Sequence, residues 1–279
     1  MGVKATRNCY NLAMTPRIVF ADIDGTLLTS DHKLPINTKK AIFELKEKGI
    51  PFIIVSARPA IGIFPILDEN GFSCPIVAFS GGMMVDEKRN IVYSETFPLA
   101  KAKEIIEASK EFGEDATWNI YSTERWYVLD TSNARVREEA DIVSAEPDET
   151  LLEDIPEDLK VNKVMLMVNP SRMEEIENKM KRIFSDLTIA RSCDHLLEFN
   201  LNVNKAVAVH RCCDYFGVDV SSSVAFGDNY TDMPMLEAAG MAFLMGNAPE
   251  ELKKRFPNVT LDNDHDGVYV ALKKLHLVV

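Results

Sequence analysis

The strongest constraint on the fold is a continuous apolar run, Ile18-Val19-Phe20-Ala21, that stops at Asp22-Ile23-Asp24-Gly25. A run apolar at every residue, not at alternate ones, belongs to a strand buried on both faces, as in parallel sheets. Two similar runs follow at Pro51–Ser56 and Pro75–Phe79. Before the first of these, residues 36–48 carry a helical pattern with Ile42 and Leu45 inward, ended by Gly49. A second helix over residues 60–69 stops at Gly71. Strand–helix–strand–helix–strand with short connections predicts an α/β fold with a doubly wound, mostly parallel core sheet covered on both faces.

The pattern changes after Gly82. Residues 83–85 and 90–95 read as a hairpin, 99–112 as a helix, and 117–121 with 126–130 as a strand pair. Residues 164–168 and 187–190 are strand-like around a helix at 171–184. This mixture predicts an α+β cap domain at 83–192, inserted into a core made of 15–82 and 193–279. In the returning core, strands are expected at 196–201, 223–227, 242–245 and 259–261, with helices at 205–216 and 268–275. Residues 1–14 read as a disordered tail or an over-extended start. The acidic stretch from Glu138 to Asp158 lacks ligand-like spacing and is expected to be solvated cap surface.

Charge narrows the partners. The 279-residue chain has 43 acids against 31 bases, a net −12, with no basic run to hold a phosphate backbone, so nucleic acid is not an expected partner. No apolar run has a membrane-spanning length. The five cysteines show no Cys-x-x-Cys spacing, which predicts free thiols and a cytoplasmic location, and the histidines form no zinc-type cluster. Oligomeric state is left open.

Two acidic motifs carry the chemistry. Asp22 and Asp24 leave the same face of the first strand before Gly25 turns the chain, at the carboxyl edge where open α/β sheets bind ligands. Adjacent carboxylates need a cation or a shared proton, and an oxygen-rich acidic site favours Mg²⁺ when a substrate phosphate completes its shell. Asp228 and Asp232 follow a later apolar strand, four apart, so both can face one site. Ser56 ends the second strand, where its hydroxyl and the next amide, that of Ala57, suit a phosphate oxygen. Lys205 opens a helix whose dipole acts on the same anion.

Taken in order, Asp22/Asp24, Ser56, Lys205 and Asp228/Asp232 resemble the four motifs of the haloacid dehalogenase-like phosphatases, and the long insertion resembles the large α/β caps of the Cof-type branch. The resemblance implies a Rossmann-like core and a Mg²⁺-dependent phosphatase acting on small phosphorylated metabolites, sugar phosphates first. Asp22 would attack phosphorus to form an aspartyl-phosphate, and Asp24 would protonate the leaving oxygen and then activate water. Mg²⁺ would sit on Asp22, the Asp24 carbonyl and Asp228, with Asp232 nearby; Ser56, Ala57, Lys205 and Asn229 would contact the phosphoryl group.

The chain departs from the family pattern in three places. Ala57 replaces a glycine, and Thr231 stands where asparagine is usual, which leaves Asn229 as the candidate amide. Ser80-Gly81-Gly82 stands where Asn-Gly is more usual and suits a cap hinge. These departures motivate an alternative, a catalytically weak metabolite-binding or regulatory protein; a phosphomutase is the other. The Asp262/Asp264/Asp266 series lacks the closing Glu of a calcium loop, having Lys273, and reads as a capped turn before the last helix. Trp118, Tyr121, Trp126 and Tyr127 are expected to pack in the cap sheet.

Overall fold

A computed structural model describes residues 15–201 and 203–279; the tail expected at 1–14 lies outside the described residues. In chain order the first part comprises β1 (Ile18–Ala21), α1 (Ile36–Glu47), β2 (Phe52–Val55), α2 (Phe64–Asn70), β3 (Ile76–Ala78), β4 (Met83–Val85) and β5 (Ile91–Ser94). A second part follows with β6 (Phe97–Pro98), α3 (Leu99–Ser109), β7 (Ala116–Ser122), β8 (Trp126–Val128), α4 (Ala134–Val143) and β9 (Asp148–Glu149). It continues through β10 (Lys160–Val168), α5 (Met173–Ile183), β11 (Thr188–Arg191) and β12 (Leu196–Asn200). The chain returns through α6 (Lys205–Phe216), β13 (Ser223–Gly227), α7 (Met233–Ala238), β14 (Met241–Leu244), α8 (Glu250–Lys253) and α9 (Gly267–Lys274).

Among the described residues the core sheet runs β14-β13-β1-β2-β3-β4-β5. Its pairings are parallel from β14 to β3 and antiparallel beyond. Both faces of β1 are buried, as its unbroken apolar run requires. Ile18 and Phe20 pack with Val209 and Cys212 of α6 and Met235 of α7, while Val19 and Ala21 pack with Ile42 and Leu45 of α1 and Leu272 of α9. The expected doubly wound α/β core is present.

The chain changes sheets elsewhere than expected. The β4–β5 hairpin continues the core sheet from β3, and β12 lies in the second sheet, ordered β11-β12-β10-β7-β8-β9. The crossings therefore follow Ser94 and Asn200, not Gly82 and Ser192. A hairpin's alternation reports that one side is buried, not which sheet edge buries it. Ser80-Gly81-Gly82 is accordingly no cap hinge: it links two core strands. Gly81 has φ 111°, and a Cβ there would stand 2.4 Å from the Asn204 carbonyl oxygen, so the turn packs against the chain entering α6. The strand expected at 259–261 reduces to a single bridge between Val259 and Leu244. Helix α4 was not anticipated.

The turn at Asp262–Asp266 also acts at a distance. α1 starts after Pro35 with no side-chain cap of its own. Asp266 accepts from the Thr38 amide at 3.2 Å, the Thr38 hydroxyl at 3.1 Å and Asn37 Nδ2 at 2.9 Å, satisfying donors that the α1 terminus leaves open. It gives α9 no side-chain cap.

One face of the cap sheet is covered by α3 and α5, through Ile105, Met173 and Ile176 against Trp118, Ile120, Leu166 and Phe199. The opposite face presents Tyr121, Trp126, Met165 and Met167, which join Val136 and Val143 of α4 in the apolar cluster shared with the core. All four aromatic residues pack in the cap as expected, divided between its two faces. Among the described residues, no helix is long and apolar enough to cross a membrane.

Candidate active site

The floor of the site is built at the carboxyl ends of β1, β2 and β13. After β1 the chain turns through Gly25, whose φ of 76° is strained for any side chain. A Cβ at Gly25 would stand 2.4 Å from Asp228 Oδ2, so the glycine lets the first acidic loop meet the second. Carboxylate oxygens of Asp22, Asp228 and Asp232 lie within 4.8 Å of one another.

Lys205 bridges two of these acids, donating to Asp22 Oδ1 at 2.5 Å and Asp232 Oδ1 at 2.6 Å. Asn204 caps α6 and so fixes where the Lys205 side chain begins. Asp232 Oδ2 accepts the amides of Asp228 and Asn229, each at 3.0 Å, which ties the loop to the start of the next turn. Thr26 donates to Asp228 Oδ1 at 2.9 Å. Both oxygens of Asp232 are thus engaged, whereas among the described residues nothing donates to Asp22 Oδ2 or Asp228 Oδ2.

Burial raises the pKa of Asp22 to about 8, with the Asp232 charge adding to it and Lys205 only partly offsetting it. Burial, again with Asp232, raises Asp228 to about 6. Burial works against the charge of Lys205, but Asp22 and Asp232 outweigh it and hold its pKa above the usual lysine range. Negative charge therefore exceeds what one ammonium neutralises. An all-oxygen set with two open carboxylate oxygens fits a hard divalent cation such as Mg²⁺.

Asp24 lies outside that three-acid cluster. Arg58 holds its carboxylate in a two-pronged grip, Nε to Oδ2 at 2.9 Å and a terminal nitrogen to Oδ1 at 2.7 Å. The Arg58 amide also donates to the buried Ser56 hydroxyl at 3.1 Å, so this short segment ties Ser56 to Asp24. Asn229 uses its side-chain oxygen on the Tyr230 amide at 2.7 Å as a cap, a local duty the sequence reading did not assign to it.

The floor opens into a cavity of about 360 Å³ lined by Asp22, Asp24, Ser56, Ala57, Lys205 and Asn229. The cap supplies the opposite wall, with Glu139, Lys163, His195 and Glu198. Sequence reasoning missed Arg58 as a partner of Asp24, Thr26 as a partner of Asp228, and the whole cap wall. Glu139 corrects the expectation that the stretch from Glu138 is all solvated surface. Lys163 and Glu198 left a weak signal: each is a charge within a largely apolar, buried strand.

Comparison with known proteins identifies the family. Residues 19–272 match the model of the haloacid dehalogenase-like hydrolase family. A protein of Haemophilus influenzae is 33% identical over 266 residues, 94% of this chain and 98% of its own length. The Bacillus subtilis enzyme 5-amino-6-(5-phospho-D-ribitylamino)uracil phosphatase is 26% identical, over 93% of this chain and 97% of that one. A haloacid dehalogenase-like hydrolase from Bacteroides thetaiotaomicron has the same fold, with a TM-score of 0.83 at 24% identity, covering 93% of this chain and 99% of that one. This chain belongs to the haloacid dehalogenase-like hydrolases, in their Cof-type branch, and is a hydrolase of phosphoric monoesters.

Proposed function

We propose that this protein is a Mg²⁺-dependent phosphatase of small phosphorylated metabolites, sugar phosphates foremost, working through an aspartyl-phosphate on Asp22. The observation that carries the reading is the convergence of Asp22, Asp228 and Asp232 within 4.8 Å around the Lys205 ammonium. Asp22 and Asp228 are the residues to hold Mg²⁺, with Asp232 and Thr26 keeping them in place. Bound there, Mg²⁺ would neutralise charge on the transferring phosphoryl group.

Asp22 supplies the nucleophile. A carboxylate oxygen forms a bond to phosphorus as the ester oxygen departs with its electron pair. Asp24 gives that leaving oxygen a proton, then takes one from the water that attacks phosphorus. The second step breaks the Asp22–phosphorus bond, restores the carboxylate and releases inorganic phosphate. Lys205, Ser56 and the Ala57 amide stabilise the remaining phosphoryl oxygens, since phosphoryl transfer depends mainly on position and charge. Arg58 aims the Asp24 carboxylate, and one of its two hydrogen bonds must loosen when Asp24 carries the proton.

The test is phosphate release from p-nitrophenyl phosphate and a panel of sugar phosphates. Turnover should require a divalent cation and vanish in Asp22→Asn. Undiminished activity after chelation, or in that variant, refutes the mechanism.

A further inference from the structure

The wall facing the catalytic floor is charged where a packing face would ordinarily be apolar. On the inner face of the cap sheet, Tyr121 stands opposite Lys163, and Met165 stands opposite both Asn119 and Glu198. Lys163 is 3% exposed and Glu198 7%. The lysine donates to Glu198 Oε1 at 2.9 Å, reaches the Ala57 carbonyl at 3.4 Å and lies 4.9 Å from the Tyr121 ring centroid. An apolar pair of the same volume would serve stability as well as this buried ion pair. Packing alone gives no reason for it.

Three polar groups beside it are uncommitted among the described residues. Nothing donates to Glu198 Oε2. The Tyr121 hydroxyl is buried with no partner, and it feels the charges of Glu139 and Glu198. Glu139, half-buried on α4, makes neither a hydrogen bond nor an ion pair. Carboxylate oxygens that line a cavity and have no protein donor are free to accept from a ligand there. The open groups are mostly acceptors. Two of the three residues, Glu139 and Glu198, line the cavity that also contains Asp22 and Lys205.

We propose that Glu139 and Glu198, with Lys163 anchoring Glu198, form a leaving-group subsite that selects phosphomonoesters of uncharged, polyhydroxylated carriers and turns away carriers bearing a second anionic group. This rests on the phosphatase reading above. One phosphate places its charge against Lys205 on the floor, and carrier hydroxyls then donate to the carboxylates of the wall. A second phosphate or carboxylate would meet Glu139 and Glu198 instead. The basic groups that could meet it are engaged elsewhere: Lys163 with Glu198, Arg58 with Asp24 and the His195 ring with Asp194.

Three probes test it on the full chain: p-nitrophenyl phosphate, a hexose monophosphate and a hexose bisphosphate. The wild type should favour the monophosphate over the bisphosphate in kcat/KM by about tenfold or more. Glu139→Gln should lower the ratio of monophosphate to p-nitrophenyl phosphate turnover by about tenfold, the loss expected for a hydrogen bond to a charged group, and should narrow the bisphosphate discrimination. Because Glu198→Gln strands Lys163, the double replacement Lys163→Met with Glu198→Leu keeps the wall packed and should show the same fall in ratio. A wild-type preference for the bisphosphate, or unchanged ratios in Glu139→Gln and in the double variant, overturns the subsite. If the wild type fails to turn over p-nitrophenyl phosphate, or Asp22→Asn keeps that activity, the phosphatase reading itself falls.

Discussion

The floor and the wall of the cavity are built by opposite means. Floor residues sit on loops just beyond strand ends, where backbone amides, Thr26 and Lys205 engage nearly every carboxylate oxygen except those open to a cation. Glu139, Lys163 and Glu198 of the wall sit on α4 and within strands, and among the described residues nothing donates to Glu139 or to Glu198 Oε2. A floor made this way holds charge in one geometry whatever is bound. The wall is completed only by a ligand, so floor variants should affect every substrate and wall variants should affect the choice among them.

The largest effect should come from Asp22→Asn, with kcat for every phosphomonoester falling by about 10⁴-fold or more, read as phosphate release. A loss confined to hydroxylated substrates would break the division between floor and wall. Next comes Lys205→Met, which leaves Asp22 and Asp232 buried without their shared cation. Removing one partner of a buried ion pair typically costs about 3–5 kcal/mol, so chemical denaturation should show a loss of that order in the metal-free protein, partly recovered by Mg²⁺. A fully stable variant would mean that Lys205 does not hold the floor together.

pH gives a subtler test. The folded, metal-free protein holds protons on Asp22 up to about pH 8 and on Asp228 up to about 6, both above the unfolded carboxylate value of 3.8. The folded state therefore binds more protons than the unfolded one between about pH 4 and 8, and its stability should fall as pH rises across that range, most steeply below 6, where both groups contribute. A cation competes with those protons, so Mg²⁺ affinity should weaken by roughly tenfold per unit as pH drops below about 8. Calorimetric titration at several pH values measures the slope; a flat profile would remove the excess charge assigned to the floor. The smallest effect lies behind the wall. Tyr121→Phe deletes a buried hydroxyl without a partner among the described residues, so stability should hold or rise by up to about 1 kcal/mol in thermal unfolding, and a clear loss would mean that the hydroxyl is satisfied.

This contrast explains what could be read from the chain. Asp22, Asp24, Ser56, Lys205, Asp228 and Asp232 each lie at a strand exit or helix start, and those local contexts leave a mark in nearby residues. Lys163 and Glu198 are 35 positions apart and meet only through the pairing of β10 with β12. Helix α4, which carries Glu139, lies in a strongly charged segment and was overlooked. The same limit moved the domain crossings: short strands such as β4, β5 and β12 show that they pair, not with which sheet.

The amino-acid sequence by itself determined the parallel α/β core and the acidic floor, because unbroken apolar runs and the residues that end them act within a few positions of one another. Only the tertiary structure decided where the cap begins, that Asp266 caps a helix more than two hundred residues away, and that a charged wall faces the floor. Those outcomes depend on side chains brought together by packing, and no local pattern records a partner that distant.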